Sequence, residues 1–295
     1  MNHLFELLLN TPPRMLFRLA KSRLSANDRP ENFADLHPCT FVLSTGRAGT
    51  KTLAQLYGLS RNIDAYHEPA PKLFGLSKLC YDLRADSLTD VDLINVLTEA
   101  FTTARRDLLN ASLIASHGYA ETSPQVTFSV PIILNALPHA RFIHLLREPK
   151  DVVASGVRRK WYTGHVNDQW RITPKPGTPF QAIWEKMGQV EKLLWLWAET
   201  NRWVMDFGSR IKQDQFLTVR SEDLFAGDEP TIHSLYAFID RETPQLAKIK
   251  AVLRKQINAQ RSGTFDQPAD WSDTIRPELA TFVGKVAAEL GYTFP

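Results

Sequence analysis

A short loop rich in glycine, cations and hydroxyl groups is the first feature of this sequence that could do chemistry. It lies in FVLSTGRAGTKTLAQLYG, residues 41–58, between an apolar run and an amphipathic one. Arg47 and Lys51 supply positive charge there, and Thr50 and Thr52 supply hydroxyl donors. Free backbone N–H groups at a strand-to-helix turn point at a bound anion, and glycine lets the backbone approach it closely. The loop therefore predicts a phosphate site, because a turn that merely needed glycine would not explain two cations and two threonines.

The Walker A loop of ATP- and GTP-using enzymes, G-x-x-x-x-G-K-S/T, is the nearest familiar alternative. Its register fails here, because Lys51 follows Thr50 rather than a glycine. No apolar strand ends in an aspartate that would hold Mg²⁺. The second strong apolar run, RFIHLL at 141–146, is followed by Arg147 instead. We therefore expect no metal site, and a P-loop-type small-molecule kinase using ATP and Mg²⁺ is kept as the alternative hypothesis.

The loop resembles the 5′-phosphosulfate-binding loop of the sulfotransferases that use 3′-phosphoadenosine 5′-phosphosulfate (PAPS), whose common form is K/R-S-G-T-T/S. Arg47, Gly49 and Thr50 match that form. Ala48 replaces its usual serine, and Lys51 replaces its second threonine or serine. The resemblance implies that these residues bind the phosphosulfate of the donor.

A second turn, RFIHLLREPKDVVASG at 141–156, resembles the segment of the same family that binds the 3′-phosphate of PAPS. The family pattern is an apolar strand, then Arg, then Asp-Val, then a Ser. Arg147, Asp151, Val152 and Ser155 occupy these positions. PAPS carries an anion at each end of an adenosine, so two strand-to-helix turns with clustered donors suit it. We expect Arg147 and Ser155 to bind the 3′-phosphate.

Two further stretches resemble the family more loosely. VRSEDLF, residues 219–225, resembles its R/K/Y-x-E-D-L stretch. QRSGTFDQPADW, residues 260–271, resembles the C-terminal segment that closes over the 3′-phosphate, which makes Arg261 and Gly263 candidate ligands. The likeness covers roughly residues 40–292 and implies a sulfotransferase of the bacterial or carbohydrate type.

Such an enzyme moves a sulfuryl group from PAPS to a hydroxyl or amine of an acceptor and releases 3′-phosphoadenosine 5′-phosphate (PAP). Sulfuryl transfer resembles phosphoryl transfer, with charge spread over the equatorial oxygens, and the family needs no catalytic metal. Arg47 and Lys51 are therefore candidates for stabilising the leaving phosphate as well as for binding. The acceptor stays open among small molecules, lipids, peptides and carbohydrates, because its binding loops carry no recognisable code.

The acceptor needs a base, since a neutral hydroxyl or a protonated amine is a poor nucleophile. YHEPAP, residues 66–71, offers His67 and Glu68 where a short strand is predicted to end. It resembles the Glu-Pro segment of carbohydrate and bacterial sulfotransferases, in which the glutamate is the usual base. A zinc site of the HExxH type is excluded, because the prolines forbid the helix that it requires. We expect Glu68 to be the general base, with His67 as its rival.

Apolar runs that alternate with helical patterns must position these residues. The predicted strands are residues 39–44, 141–146 and 215–220, with a short one within 61–73. The predicted helices are residues 50–59, 88–108, 131–138, 149–161 and about 180–206, with two more towards the C-terminus. This alternation predicts an α/β fold, a three-layer sandwich with a central, mainly parallel sheet and a P-loop-like phosphate-binding turn.

One sulfotransferase domain is expected over residues 39–295, preceded by an N-terminal helical extension and connection at 1–38. An amphipathic helix over 14–24 could lie on an anionic membrane or pack on its own domain. The apolar LFELLLN near the N-terminus is too short for a membrane span. The loop over 163–179 is long for a compact domain, so we expect it to border the acceptor site.

The composition is that of an ordinary soluble protein, with 43% hydrophobic residues among 295 and a net charge of +3. So small a charge argues against a nucleic-acid partner. The two cysteines, Cys39 and Cys80, form no CxxC pair, which predicts a reducing, cytoplasmic location. Tryptophans recur at helical spacing within 180–206, so we expect them to pack in the core rather than to stack on a ligand.

Overall fold

Five parallel strands form the central sheet of this protein. The computed structural model describes residues 33, 36, 38–84, 88–259 and 275–294 of the chain. The strands are β1 Cys39–Leu43, β2 Ile63–Tyr66, β3 Gly118–Glu121, β4 Arg141–Leu146 and β5 Phe216–Arg220. Their order across the sheet is β2-β3-β1-β4-β5, and every neighbouring pair is parallel. Parallel strands bring their carboxyl ends to one edge, so the segments that follow β1, β2 and β4 meet there.

Helices within the described ranges cover both faces of this sheet. They are α1 Thr50–Tyr57, α2 Phe74–Asp82, α3 Val91–Ile114, α4 Val130–Ala136, α5 Pro149–Arg158, α6 Gln189–Gly208, α7 Ser221–Ala226, α8 Glu229–Phe238, α9 Leu246–Ala259 and α10 Pro277–Glu289. Short 3₁₀ turns occur at Pro124–Ser129, Asp168–Trp170, Gln181–Lys186 and Gln213–Gln215. The helix predicted over 88–108 runs from Val91 to Ile114 in the structure, as α3. It begins at Val91 because the Asp90 side chain accepts the Leu93 N–H and so caps the helix.

The sheet separates two hydrophobic cores. On β1, Phe41 and Leu43 belong to one core and Val42 to the other, as the alternation of side chains along a strand requires. Helices α1, α7, α8 and α9 pack on the Val42 side, and α2 to α6 pack with α10 on the other. This three-layer α/β sandwich confirms the predicted fold class. The tryptophans expected in the core are buried there, namely Trp184, Trp195, Trp197 and Trp203.

Strand β3, which lies between β2 and β1, is not predicted by the sequence pattern. Its four residues, GYAE, are too few to show periodicity, and the last of them is the charged Glu121, yet all four are buried. Gly118 permits close packing, because a Cβ there would lie 2.6 Å from Ile63 Cδ1. A charged residue at the end of so short a run hides the strand from a search for apolar patterns.

Two further helix predictions are wrong in extent. The segment predicted as one helix at about 180–206 is a 3₁₀ turn followed by α6. Gly188 interrupts it in an extended conformation, and its N–H donates to the Glu191 carboxylate at 2.9 Å, which starts α6. The longest helix described is α3, with 24 residues. Four described helices rather than two follow β5, and Gly227, with a left-handed φ of 76°, separates the first of them, α7, from the second.

Most of the N-terminal extension predicted over residues 1–38 lies outside the described residues, including the amphipathic helix at 14–24. Arg261 and Gly263, near the other end of the chain, also lie outside them. Phe33 and Leu36 are described, and both are buried in the hydrophobic core. Within the described ranges, no helix is long and apolar enough to cross a bilayer.

Stability should depend on pH through a buried histidine of the sheet. Asn201 donates its amide N–H to the Trp197 carbonyl, so its Oδ1 accepts from His144 Nε2 at 2.8 Å. Burial lowers the pKa of His144 from 6.5 to about 4, although the bond to Asn201 opposes the shift. The free energy of unfolding is therefore at its full value above pH 6.5, where His144 is neutral in both states. It decreases as the pH falls towards 4, because only the unfolded chain binds a proton at His144 in this range. From pH 7.5 to 5 we expect this group to lower the free energy of unfolding by about 2 kcal/mol.

Urea denaturation at these two pH values measures the effect, and a His144→Gln variant serves as the control. The fall in the free energy of unfolding should be smaller in the variant by about 2 kcal/mol, because glutamine does not titrate. The same pH dependence in both proteins would show that His144 does not cause it.

Candidate active site

A cavity of about 520 Å³ lies at the carboxyl ends of β1 and β2. Its walls include the turn between β1 and α1, the segment between β2 and α2, and part of the loop over 163–179. It is large enough for a small ligand. It brings together these residues singled out from the sequence: Arg47, Gly49, Thr50, Lys51, Thr52, His67 and Glu68.

The turn before α1 has the backbone conformation of an anion site. Gly46 and Arg47 have left-handed φ values of 80° and 62°, and Gly49 has a φ of 96°. A Cβ at Gly49 would lie 2.5 Å from the Phe225 ring, so only glycine fits there without a shift. Helix α1 begins at once with Thr50, and its first N–H groups have no partners within the helix. Free donors and a close backbone approach therefore coincide at this turn.

Side chains of the turn divide between the core and the cavity. Thr50 and Thr52 line the cavity although both are buried, and Lys51 lines it from an exposed position on the first turn of α1. Ala48 is fully buried in the core, and its carbonyl accepts a hydrogen bond from Ser221. Ala48 can therefore reach a ligand only through its backbone N–H.

The second turn contacts the first directly. Arg47 Nε donates to Ser155 Oγ at 2.8 Å, and Arg147 Nη1 donates to the Arg47 carbonyl at 2.9 Å. Arg147 also pairs with Asp151, four residues further on in α5, at 2.9 Å. Trp197 Nε1 donates to the Arg147 carbonyl at 2.8 Å. Arg147 and Ser155 are not cavity-lining residues themselves, and both connect to the cavity through Arg47.

The motif after β5 supports both turns. Ser221 is fully buried, and its Oγ lies within bonding distance of the Ala48 and Leu146 carbonyls, so its single proton bonds to one of them at a time. Glu222 accepts the backbone N–H of Glu148 at 2.8 Å. The resemblance to the sulfotransferase family identifies residues 219–225 as a motif but does not indicate what they do. In the structure its side chains bind the backbone of both turns.

Positive charge is concentrated around Arg47. The pKa of Arg47 is lowered to about 10, first by burial and then by the charges of Arg159 and Arg147, while Glu68 acts in the opposite direction. Arg159 is exposed and lines the cavity, but motif reasoning misses it because it belongs to no pattern. An anion bound at Arg47 would relieve the repulsion among these cations.

The segment after β2 brings His67 and Glu68 to the cavity. His67 Nε2 and Glu68 Oε1 are 3.9 Å apart. His67 Nδ1 lies 2.9 Å from the Thr122 carbonyl, so Nδ1 carries the proton and Nε2 of the neutral ring keeps its lone pair. Burial lowers the pKa of His67, and Glu68 opposes this shift. Both residues therefore offer a basic atom to the cavity.

The backbone of Glu68 is unusual. Its φ is 48°, in the left-handed region that residues with a side chain rarely adopt. Pro69 follows it and disfavours the right-handed helical conformation at Glu68. Such conformations persist where the surrounding structure holds them, and they cluster at functional sites.

The loop over residues 163–179 lies against the same cavity. Its Asp168 carboxylate accepts two backbone N–H groups from the start of the loop and pairs with Arg171 at 2.9 Å. The Arg171 guanidinium lies 3.8 Å from the centre of the Trp161 ring. Arg171 and Trp161 line the cavity, so this wall presents a fixed cation and an aromatic surface. The sequence singles out the loop but not this pair.

The fold is that of known sulfotransferases. The structure is similar to the sulfotransferase domain from the curacin biosynthetic pathway, with a TM-score of 0.52 and 14% identity over 88% of this chain and 99% of that domain. It is also similar to the sulfotransferase domain of the Synechococcus PCC 7002 olefin synthase, with a TM-score of 0.53 and 15% identity over 91% and 99%. At such identities the likeness concerns the fold alone. A search of curated proteins gave no significant match.

The sequence itself identifies the family. Residues 38–245 match the sulfotransferase family, which is more than half of the chain and includes both turns, the His67–Glu68 segment and the motif after β5. The chain therefore belongs to the sulfotransferase family and is a transferase. The resemblance seen in its motifs is confirmed at the level of the family.

Proposed function

We propose that this protein transfers a sulfuryl group from PAPS to a hydroxyl or amine of a small-molecule, lipid or carbohydrate acceptor, and releases PAP. One observation carries the proposal, namely the contact between the two phosphate turns, in which Arg47 Nε donates to Ser155 Oγ at 2.8 Å. A donor with an anion at each end of an adenosine needs two adjacent anion sites. Membership of the sulfotransferase family supports the same reaction.

In this proposal each turn binds one end of PAPS. The backbone N–H groups before α1, that of Ala48 included, bind the phosphosulfate. Arg147 and Ser155 bind the 3′-phosphate, and Arg261 and Gly263, which lie outside the described residues, are further candidates for it. The side chains proposed to bind the phosphosulfate are Arg47, Thr50, Lys51 and Thr52.

Transfer requires a base on one side of the sulfur and positive charge on the other. The acceptor atom attacks sulfur, the bond from sulfur to the bridging phosphate oxygen breaks, and the acceptor proton passes to Glu68. Negative charge grows on the departing 5′-phosphate, where Arg47 and Lys51 stabilise it. Support comes from the cavity itself, which Glu68, Arg47 and Lys51 all line.

The kinase alternative has weaker support. An ATP-using enzyme of this fold needs a carboxylate near its Mg²⁺ ion. The residue that follows β4 is Arg147, and a cation at this position repels a metal ion. The carboxylate that ends β3, Glu121, is already paired with Arg105.

PAP should raise the unfolding temperature far more than ATP or ATP–Mg²⁺ at equal concentration. At a hundred times its Kd, a ligand that binds only the native state adds about 2.7 kcal/mol to stability. For a domain of this size that corresponds to a shift of roughly 5–10 °C. Differential scanning fluorimetry measures it, with AMP as the control ligand that lacks the 3′-phosphate. A shift with ATP–Mg²⁺ and none with PAP would support the kinase.

A cytoplasmic location is part of the same proposal. Cys39 and Cys80 are both free and buried, which agrees with the cytoplasmic location inferred from the sequence. We propose no nucleic-acid partner. Contact of residues 14–24 with a membrane stays a prediction.

A further inference from the structure

The segment that carries the proposed base, residues 67–71, is held at both ends. At its start, His67 Nδ1 donates a hydrogen bond to the carbonyl oxygen of Thr122, just beyond β3, at 2.9 Å. At its end, Arg105 Nη1 donates to the Pro71 carbonyl at 2.8 Å. Arg105 lies on α3, so two separate elements fix this short segment against the sheet.

Arg105 is itself fixed by a buried ion pair. Its Nε donates to Glu121 Oε2 at 2.7 Å, and its Nη2 donates to Glu121 Oε1 at 2.8 Å. The Tyr119 hydroxyl donates to the same carboxylate at 2.7 Å. Arg105 is only 1% exposed, and Glu121 is not exposed at all. The remaining nitrogen, Nη1, is the one that bonds to Pro71.

Stability alone does not account for this ion pair. Removing two charges from water takes free energy that their attraction only partly returns, so an apolar pair is often as stable. Arginine can bind a carboxylate with two nitrogens and still donate with a third, whereas lysine has a single nitrogen. Because Glu121 is followed in sequence by Thr122, the end of β3 anchors both ends of the segment at 67–71.

We infer that Arg105 is a positioning residue for Glu68. By fixing the Pro71 carbonyl, it sets where the Glu68 carboxylate lies in the cavity. Glu68 needs such support because its backbone is left-handed and its side chain is 31% exposed. The inference rests on the proposed function, in which Glu68 removes the acceptor proton.

Arg105→Lys tests the inference, because lysine keeps a positive charge beside Glu121 but its one nitrogen cannot occupy the places of all three arginine nitrogens. Release of PAP from PAPS, with water as the acceptor, reports turnover without an identified acceptor. We expect turnover to fall roughly 10–100-fold, since a small displacement of a catalytic group has effects of this size. The Kd for PAP, measured by calorimetry, should change by less than about twofold, because Arg105 bonds to Glu121, Pro71 and Ala104 rather than to the donor turns.

Arg141→Lys is the matched control. Arg141 also bonds to a carboxylate and a backbone carbonyl, those of Asp240 and Phe238, each at 2.7 Å. Arg141, however, is the first residue of β4, so it lies at the amino ends of the strands, whereas the cavity lies at their carboxyl ends. Arg141→Lys should lower the unfolding temperature and leave turnover per folded molecule unchanged. If Arg105→Lys does not fold, Tyr119→Phe, which removes one bond to Glu121, should give a smaller fall in turnover of the same kind.

The Glu68→Gln background separates positioning from a general loss of structure. If Arg105 acts through Glu68, Arg105→Lys should reduce turnover much less in that background than in the wild type. Equal fold-losses in both backgrounds, or normal turnover of Glu68→Gln, would overturn the inference. So would a loss of PAP affinity as large as the loss of turnover. Failure of the wild type to bind PAP would instead overturn the proposed function.

Discussion

Glu68→Gln should lower turnover by about 10²–10⁴-fold, the usual contribution of a general base. Glutamine keeps the size and hydrogen-bonding reach of glutamate but lacks its basicity. Glu68 lines the cavity beside the turn that carries Arg47, whereas the donor contacts proposed above do not include it. The affinity for PAP should therefore barely change. Turnover measured as PAP release, together with calorimetric titration of PAP, tests both parts.

His67→Ala is the necessary companion variant. Its Nδ1 donates to the Thr122 carbonyl, which leaves a basic Nε2 within 3.9 Å of Glu68 Oε1. If Glu68 is the base, His67→Ala should lose less turnover than Glu68→Gln. Near-normal turnover of Glu68→Gln with a large loss in His67→Ala would assign the base to His67 instead.

Features decided by local geometry could be predicted from the sequence. The run RFIHLL is β4 to the residue, and α5 begins at Pro149, whose ring suits the first turn of a helix. The glycines before α1 indicate a tight turn, and Gly49 has the left-handed φ that such a turn needs. In each case a few neighbouring residues determine the structure through sterics and periodicity.

Contacts that assemble the site could not be predicted in this way, because they join distant parts of the chain. Arg47 and Ser155 are 108 residues apart, and Ser221 is 173 residues from Ala48. Spacing within a motif holds no information about such pairs. The family resemblance indicates both turns and the motif after β5, but not that Ser221 lies between the two turns.

Strand β3 illustrates a different limit. Its sequence is short and ends in Glu121, a residue type that is rarely buried without a partner. The partner, Arg105, lies on α3, and nothing in the sequence pattern pairs the two. A charged residue within a buried strand becomes intelligible only when its counter-ion is known.

Arg147→Ala should weaken PAP binding by roughly 2–5 kcal/mol, the range for removing one member of a buried, bonded charge pair. The loss has two physical sources. The cation proposed to bind the 3′-phosphate disappears, and Asp151, which pairs with Arg147 at 2.9 Å, is left with an uncompensated negative charge close to that phosphate. AMP lacks the 3′-phosphate, so its affinity should fall much less. Calorimetric titration of both ligands gives the ratio of their affinities.

Arg147 also donates to the Arg47 carbonyl. A second effect of its removal would be to disturb the first turn, which would weaken the binding of PAP and of AMP alike. The ratio of PAP to AMP affinity separates these effects, because disturbance of the first turn leaves it unchanged, whereas loss of a 3′-phosphate ligand lowers it. Arg141→Ala, at the other end of β4, is the control and should preserve the ratio. Equal losses for PAP and AMP in Arg147→Ala would refute the 3′-phosphate assignment. They would mean that Arg147 acts only by holding the turn at Arg47.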